Sequence, residues 1–272
     1  MIVTLLTDFG LADHYVAAMK GVILSHDARI VVVDISHEVP AYDRSYAAFL
    51  LAACHGAFPS GTVHVAIVDP GVGSARRPLA IQARGSYFVG PDNGIFPPSV
   101  SGAPDLQIVA IDPRAVRKDE PSATFHGRDI FAPAAAALAT GTLLRSLGAP
   151  VSDMIELDRP APKLLAGGIL EGRLIHVDRF GNCVMSFRPR DFPGDDWRSY
   201  AFHAGGFRID LKAHHYEAGH ETEPFVLQGS TGFLEIAVKR GSAADRLGVS
   251  PRDEVRAEPS AATRASKVDP LT

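Results

Sequence analysis

Over the first 140 positions, short continuous apolar runs alternate with longer amphipathic stretches. Residues 2–6 are apolar apart from Thr4, the pattern of a strand buried on both faces. Across 13–25, Tyr15, Met19, Val22 and Ile23 recur at helical spacing and predict a helix. Residues 30–35 predict a second strand, and 43–54 a second helix with Ala47, Leu50, Leu51 and Cys54 on one face. A third strand is predicted over 62–68, then a hairpin of 79–83 and 87–89 turning at Gly85. The Ala-rich run 130–140 predicts a helix that tolerates Pro133 only in its first turn. Strand-helix-strand repetition of this kind predicts an α/β domain with a largely parallel sheet.

The texture changes after Gly141. Pro150, Pro160 and Pro162, followed by Gly167-Gly168, read as a linker. Beyond it lie β-type segments at 170–177, 183–187, 200–209, 225–227 and 233–238, separated by turns containing Gly181-Asn182, Gly205-Gly206 and Gly229. Short strands with Gly-rich turns predict a small antiparallel β-barrel-like domain. The expected organisation is an N-terminal α/β domain over 1–160, a C-terminal β domain over 168–256 and a flexible tail over 257–272.

Composition narrows the function classes. The chain has 272 residues, 46% hydrophobic and 21% charged, ample for a buried core. Its net charge of −4, with no basic block longer than pairs such as Arg76-Arg77, argues against nucleic acid as a partner. Cys54 and Cys183 lie far apart in apolar segments and read as reduced, buried thiols; two cysteines cannot build a zinc ribbon. The N-terminus reads as a first strand, not a signal peptide, and no apolar run is long enough to span a bilayer. A cytoplasmic protein without membrane contact is expected.

Candidate chemistry gathers at strand ends. Asp8 follows the first predicted strand and Asp69 the third, and in open α/β sheets ligands bind beyond the carboxyl ends of the strands. Asp8 has the alternative of an Asx-turn or helix cap. The loop from Asp69 to Arg77 holds a carboxylate and a guanidinium close enough to pair, either as a functional group or as a loop clamp. His126, in the turn Thr124-Phe125-His126-Gly127-Arg128-Asp129, suits either a general base or a helix-capping group. Asp8-Phe9-Gly10 and His126-Gly127-Arg128-Asp129 echo kinase motifs by coincidence, since only one strand precedes Asp8. Gly71-Val72-Gly73-Ser74 is too short for a phosphate-binding fingerprint. His14, His37, His55, His64, His176 and the pair His214-His215 read as packing or surface residues.

Thr7-Asp8-Phe9-Gly10 with 13–21, Ile35-Ser36-His37, 68–73 with Arg76, Gly90-Pro91-Asp92-Asn93-Gly94, 124–129, 178–182 and 229–237 form an ordered set of motifs. That set resembles the S-adenosylmethionine hydroxide adenosyltransferase family, related to fluorinases and chlorinases. The resemblance implies hydrolysis of S-adenosyl-L-methionine to adenosine and L-methionine by water attack at ribose C5′. It implies no metal and no cofactor, and a homotrimer with active sites at subunit interfaces. By carry-over, Asp69, Arg76 and His126 hold and activate water, with the proton acceptor open between Asp69 and His126. Asp8 binds the ribose hydroxyls, Asp178 and Ser230 the methionine end, and Asn182 the adenine; Phe125 and Tyr42 line the reaction centre.

Departures from the halogenating relatives bear on the choice of nucleophile. Those relatives have a hydroxyl side chain in place of Gly127, a Tyr in place of Asp69 and an insertion where this chain turns through Arg84-Gly85-Ser86. Asp69 as an anion would repel halide. Lys239 and Arg240 replace smaller residues expected near adenine, and Thr231 replaces an Arg. The alternatives are a halide adenosyltransferase and a non-catalytic adenosyl-ligand sensor, the latter having no need of a water-activating set.

Overall fold

A computed structural model describes residues 1–158 and 161–260. The chain divides into two compact units, Met1–Asp158 and Arg159–Thr272. The first contains β1 (Ile2–Thr7), α1 (Tyr15–His26), β2 (Val31–Ser36), α2 (Arg44–Cys54), β3 (Val63–Ile67), β4 (Pro78–Ala83) and β5 (Ser86–Pro91). It continues through α3 (Pro97–Val100), β6 (Gln107–Ile111), α4 (Pro113–Val116), α5 (Ala132–Ala139) and β7 (Gly148–Pro150).

The sheet order is β2-β1-β3-β5-β4-β6-β7. Strands β2, β1, β3 and β5 run parallel, while β5, β4, β6 and β7 pair antiparallel. The parallel part explains the unbroken apolar runs, because its central strands are covered on both faces. Val3, Leu5, Val65 and Ile67 pack with Met19 and Ile23 of α1 and Ala134 and Ala135 of α5. Their neighbours Leu6, Ala66 and Val68 pack on the opposite face with Ala47 and Leu51 of α2. At the sheet edge β2 is only half-covered, with Val31 exposed. Strands β6 and β7 go beyond the elements that periodicity predicts; Pro150 is tolerated in β7 because that strand is the sheet edge.

Helical structure begins ahead of the predicted 130–140 helix. Gly127–Phe131 forms a π-turn, and α5 begins at Ala132, which puts Pro133 in its first turn.

The second unit contains β8 (Lys163–Leu164), β9 (Leu170–Val177), β10 (Cys183–Met185), β11 (Tyr200–Ala204), β12 (Phe207–Ile209), β13 (Phe225–Gln228), β14 (Leu234–Ala237), α6 (Ala243–Leu247) and β15 (Glu254–Pro259). Its antiparallel sheet runs β12-β11-β15-β9-β10-β14-β13, with β8 on β9. Hydrogen bonds from Val226 to Leu211 and from Ala213 to Val226 join the chain after β12 to β13 and give the sheet its barrel-like form. Phe187, Trp197, Phe202, Leu234 and Val255 fill the interior. The expected β11–β12 segment turns through Gly205-Gly206, both at positive φ; a Cβ on Gly205 would lie 2.1 Å from the Leu247 carbonyl oxygen. Strand β15 carries the sheet past residue 256, with Ala257 paired to Leu170. Residues 261–272 of the expected tail lie outside the described residues.

Cys54 is half-buried and Cys183 buried, both free. Burial pushes the Cys183 thiol up to about 12, which makes it an inert packing group. Among the described residues no helix is long and apolar enough to cross a membrane.

His64 shows a measurable consequence of this packing. It lies fully buried in β3, its Nδ1 2.9 Å from Thr4 Oγ1 on β1. Burial lowers its pKa from 6.5 to about 4, with the charge of His55 adding to the effect. The unfolded chain therefore binds more protons between those values, and the fold loses stability as pH falls through that window. A shift of this size corresponds to about 3 kcal/mol. Urea unfolding at pH 7.5 and 4 should show a smaller acid loss in His64→Asn than in the unaltered chain; equal losses would contradict the assignment.

Candidate active site

Strands β1 and β3 are parallel neighbours with Thr7 opposite Ile67, so Asp8 and Asp69 emerge near one another at the carboxyl edge of the sheet. Each is then fixed by a different loop.

Asp8 is held neither in an Asx-turn nor as a helix cap. Its Oδ2 accepts the Tyr42 backbone N–H at 2.9 Å, tying the end of β1 to the entry of α2. Tyr42 sits at φ 69° with its side chain largely exposed, a conformation uncommon for an aromatic residue. Asp43 caps α2 next to it, accepting from the Tyr46 N–H. Oδ1 of Asp8 makes no hydrogen bond among the described residues, leaving acceptor capacity for a ligand. Below, His37 is buried between Thr7 Oγ1, 2.8 Å from its Nδ1, and Asp34 Oδ1, 3.0 Å from its Nε2. Its carbonyl accepts the Gly10 N–H. His37 thus packs as the sequence suggested, and its packing sets the loop that carries Asp8.

The Asp69 loop folds back on itself. Val72 donates to the Asp69 carbonyl, Ser74 donates twice to Gly71, and Gly73 at φ 77° lies where a Cβ would come within 2.5 Å of the Ala123 carbonyl. This turn returns Arg76 to Asp69. Arg76 Nε donates to both carboxylate oxygens at 3.0 Å, and Nη2 donates to Oδ2 and approaches His126 Nδ1 at 2.8 Å. The two charged side chains are 6% and 8% exposed, and the guanidinium lies 5.2 Å over the Phe131 ring. Arg76 Nη1 is buried without a partner among the described residues.

These contacts settle the state of His126. A guanidinium can only donate, so Nδ1 accepts and the neutral ring carries its proton on Nε2. The imidazole pKa is depressed accordingly, first by burial and then by the Arg76 charge, against Asp69 and Asp129. The π-turn after His126 is anchored by Asp129, which takes Arg117 Nη1 at 2.5 Å, Arg128 Nε at 2.8 Å and the Ser122 N–H at 2.9 Å.

Phe125 is buried within an aromatic group: Tyr15 meets it edge-on at 5.1 Å, Phe9 at 6.1 Å and His14 at 6.5 Å. Gly127 abuts this group, since a Cβ there would lie 3.1 Å from Phe125 and 3.2 Å from Met19 Sδ. Sequence reasoning assigned no role to Asn93, although its motif was visible. Its Nδ2 donates to the Val68 carbonyl at 2.8 Å, bracing the end of β3 directly before Asp69, and its Oδ1 is buried without a partner among the described residues.

The second unit assembles the other candidates. Asp178, after β9, accepts the Phe180 and Asn182 N–H groups on Oδ1 and the Asn182 side-chain amide on Oδ2. Ser230 is exposed in the turn Gly229–Phe233, which is closed by Gly232 N–H to Gly229 and Gly229 N–H to Phe233. Glu235 sits behind that turn, 5% exposed, accepting from the Tyr216 hydroxyl at 2.7 Å. Burial pushes its carboxyl above the usual range; the Tyr216 bond opposes this and the Asp178 charge adds to it. Among the described residues no group of three or more His, Cys, Asp and Glu side chains could hold a metal ion.

Comparison with known proteins identifies the family. Residues 3–148 match the SAM hydroxide adenosyltransferase N-terminal domain and residues 172–256 its C-terminal domain. The chain is 38% identical over 260 residues to a protein of Thermus thermophilus named (R)-S-adenosyl-L-methionine hydrolase, spanning 92% of this chain and 97% of that one. A Methanocaldococcus jannaschii protein of the same name is 33% identical over 266 residues, spanning 93% and 94%. A fluorinase of an Actinoplanes species is 26% identical over 268 residues, spanning 87% and 90%. The crystal structure of an uncharacterized conserved protein from Thermotoga maritima superposes with a TM-score of 0.86 at 33% identity, covering 95% of this chain and 100% of that one. The chain belongs to the SAM hydroxide adenosyltransferase family.

The Arg76–His126 contact is open to direct titration. NMR titration of the His126 ring protons should give a midpoint below 6.5, and Arg76→Gln should raise it by removing one of the two effects that depress it. A midpoint at or above 6.5 in the unaltered chain, or one unmoved by the substitution, would contradict the assigned neutral state.

Proposed function

On the basis of that membership, we propose that the chain hydrolyses S-adenosyl-L-methionine to adenosine and L-methionine through attack of water on ribose C5′. The observation that carries the proposal is the Asp69–Arg76–His126 cluster, a carboxylate and a neutral imidazole organised by one buried guanidinium. In this reaction the water oxygen forms a bond to C5′ as the C5′–S bond breaks. The bonding pair stays on sulfur, which leaves as a neutral thioether. Because a sulfonium is a good leaving group, alignment supplies much of the acceleration, on the order of several kcal/mol.

The hydrogen-bond roles favour Asp69 as the proton acceptor. In the neutral ring His126 Nδ1 already accepts from Arg76 and Nε2 already bears a proton, so the imidazole can orient water as a donor but has no lone pair free to take its proton. The Asp69 oxygens keep lone pairs beyond those used by Arg76, and a general base of this kind contributes on the order of 10²–10⁴-fold. Arg76 fixes the carboxylate and stabilises developing hydroxide. Asp8 would hold the ribose hydroxyls through its open oxygen, with Tyr42 and Phe125 against the reacting end, where aromatic faces attract a sulfonium. Asp178 and Ser230 would take the methionine end and Asn182 the adenine. Two relatives carry the (R) epimer in their names, and the same sulfonium epimer is proposed as substrate here. A cytoplasmic homotrimer with the site at subunit interfaces belongs to the same proposal. A halide adenosyltransferase is disfavoured by the anion at position 69, and an adenosyl-ligand sensor by the cluster itself.

The test is turnover of (R)-S-adenosyl-L-methionine in H₂¹⁸O with mass spectrometry of the products. Adenosine should carry ¹⁸O at C5′, and Asp69→Asn should slow its formation by 10²-fold or more while adenosyl-ligand binding persists. Bound but intact substrate in the unaltered chain would instead establish the sensor.

A further inference from the structure

Arg188 follows β10 at a point where the chain still runs beside β14, with the Leu234 N–H donating to the Phe187 carbonyl. This places its guanidinium over the Phe233 ring, with the carbon 3.7 Å from the ring centroid. Nη1 reaches over the turn that carries Ser230, 3.3 Å from where a Cβ on Gly232 would stand. Arg188 is half-buried, and its pKa is depressed chiefly by that burial, then by Arg190, with Asp191 opposing. Asp191 uses Oδ2 to accept the Arg188 backbone N–H at 2.7 Å. Among the described residues no carboxylate forms a salt bridge with Arg188, whereas the buried Arg76 has Asp69 and the half-buried Arg77 has Asp92. A partly desolvated cation without a counter-ion is unfavourable unless a ligand supplies one.

Two neighbouring features indicate what that ligand is. The Thr231 hydroxyl, in the same turn, is buried and finds no hydrogen-bond partner among the described residues. Two residues beyond Phe233, in β14, Glu235 lies buried within the field of Asp178. The turn thus carries a guanidinium beside hydroxyl groups, and the Asp178 carboxylate acts on the Glu235 buried behind it, a charge pattern complementary to an α-amino acid zwitterion.

We propose that Arg188, braced by Phe233, binds the α-carboxylate of the substrate's methionyl group and makes the enzyme selective for substrates that retain it. The proposal rests on the hydrolase reading above and deepens it. A guanidinium matches a carboxylate in plane and bidentately, which a lysine cannot reproduce.

The experiment compares S-adenosyl-L-methionine with its decarboxylated analogue, S-adenosyl-3-methylthiopropylamine, in the unaltered enzyme, Arg188→Gln and Arg188→Lys. In parallel, calorimetry compares L-methionine with 3-(methylthio)propylamine as ligands. Arg188→Gln should raise KM for S-adenosyl-L-methionine roughly 10–100-fold with kcat little changed, and Arg188→Lys should recover part of the loss. Turnover of the analogue, and binding of the amine, should be the same in all three, which also shows that the variants fold. Equal losses for acid and decarboxylated ligands, or loss for neither, would overturn the assignment. If the unaltered chain cleaves neither adenosyl substrate, the hydrolase reading fails, and the calorimetric comparison alone decides whether Arg188 is a carboxylate clamp.

Discussion

Arg76 spends its donors on two partners at once, and the chemistry of the N-terminal unit depends on that choice. Removing a guanidinium and a carboxylate from water is costly, and the Asp69–Arg76 pair offsets the cost only because both side chains are met in good geometry. One remaining N–H then reaches His126 Nδ1 and selects the neutral tautomer with its proton on Nε2. A single cation thereby sets the orientation of a carboxylate and the protonation of an imidazole, leaving one acceptor and one donor for a water molecule between them. Its neighbours serve this geometry. Gly73 lets the loop return past Ala123, Asn93 braces the end of β3, and Asp129 anchors the π-turn behind His126.

The parallel strands position the second carboxylate. Because Thr7 lies opposite Ile67, the ends of β1 and β3 deliver Asp8 and Asp69 side by side, and the buried His37 holds the loop beyond β1 in place. A site of this kind needs rigid strand ends and short loops, and the chain supplies both. In the barrel-like unit the same economy recurs: Asp178 is held by three donors of its own loop, and the turn bearing Ser230 is closed at both ends.

Much of this was legible in the sequence, for physical reasons. Strands covered on both faces must be apolar throughout, so β1 and β3 stood out as runs. The seven-residue separation of Asp69 and Arg76 was short enough to suggest their pairing, and His126 was visible in its polar turn. The functional reading came from the ordered motifs, not from periodicity. What was not legible depends on partners distant in sequence. The π-turn at Gly127–Phe131 precedes α5 and holds Asp129 against Arg117, a contact that no local pattern encodes. The last residues of β15, Ala257–Pro259, begin a polar stretch rich in small residues and so read as the start of a tail. The roles of Asn93, His37 and Arg188 arise from a backbone carbonyl, a hydroxyl and a ring that only the fold brings near.

The central claim is a single in-line displacement by water held at the Asp69–Arg76–His126 cluster. It is tested most directly by stereochemistry at the reacting carbon, using S-adenosyl-L-methionine made chiral at C5′ with deuterium and NMR analysis of the adenosine formed. Inversion at C5′ is the result the account predicts. Retention would mean two displacements through a covalent adenosyl-enzyme, with Asp69 as nucleophile instead of base, and would contradict it.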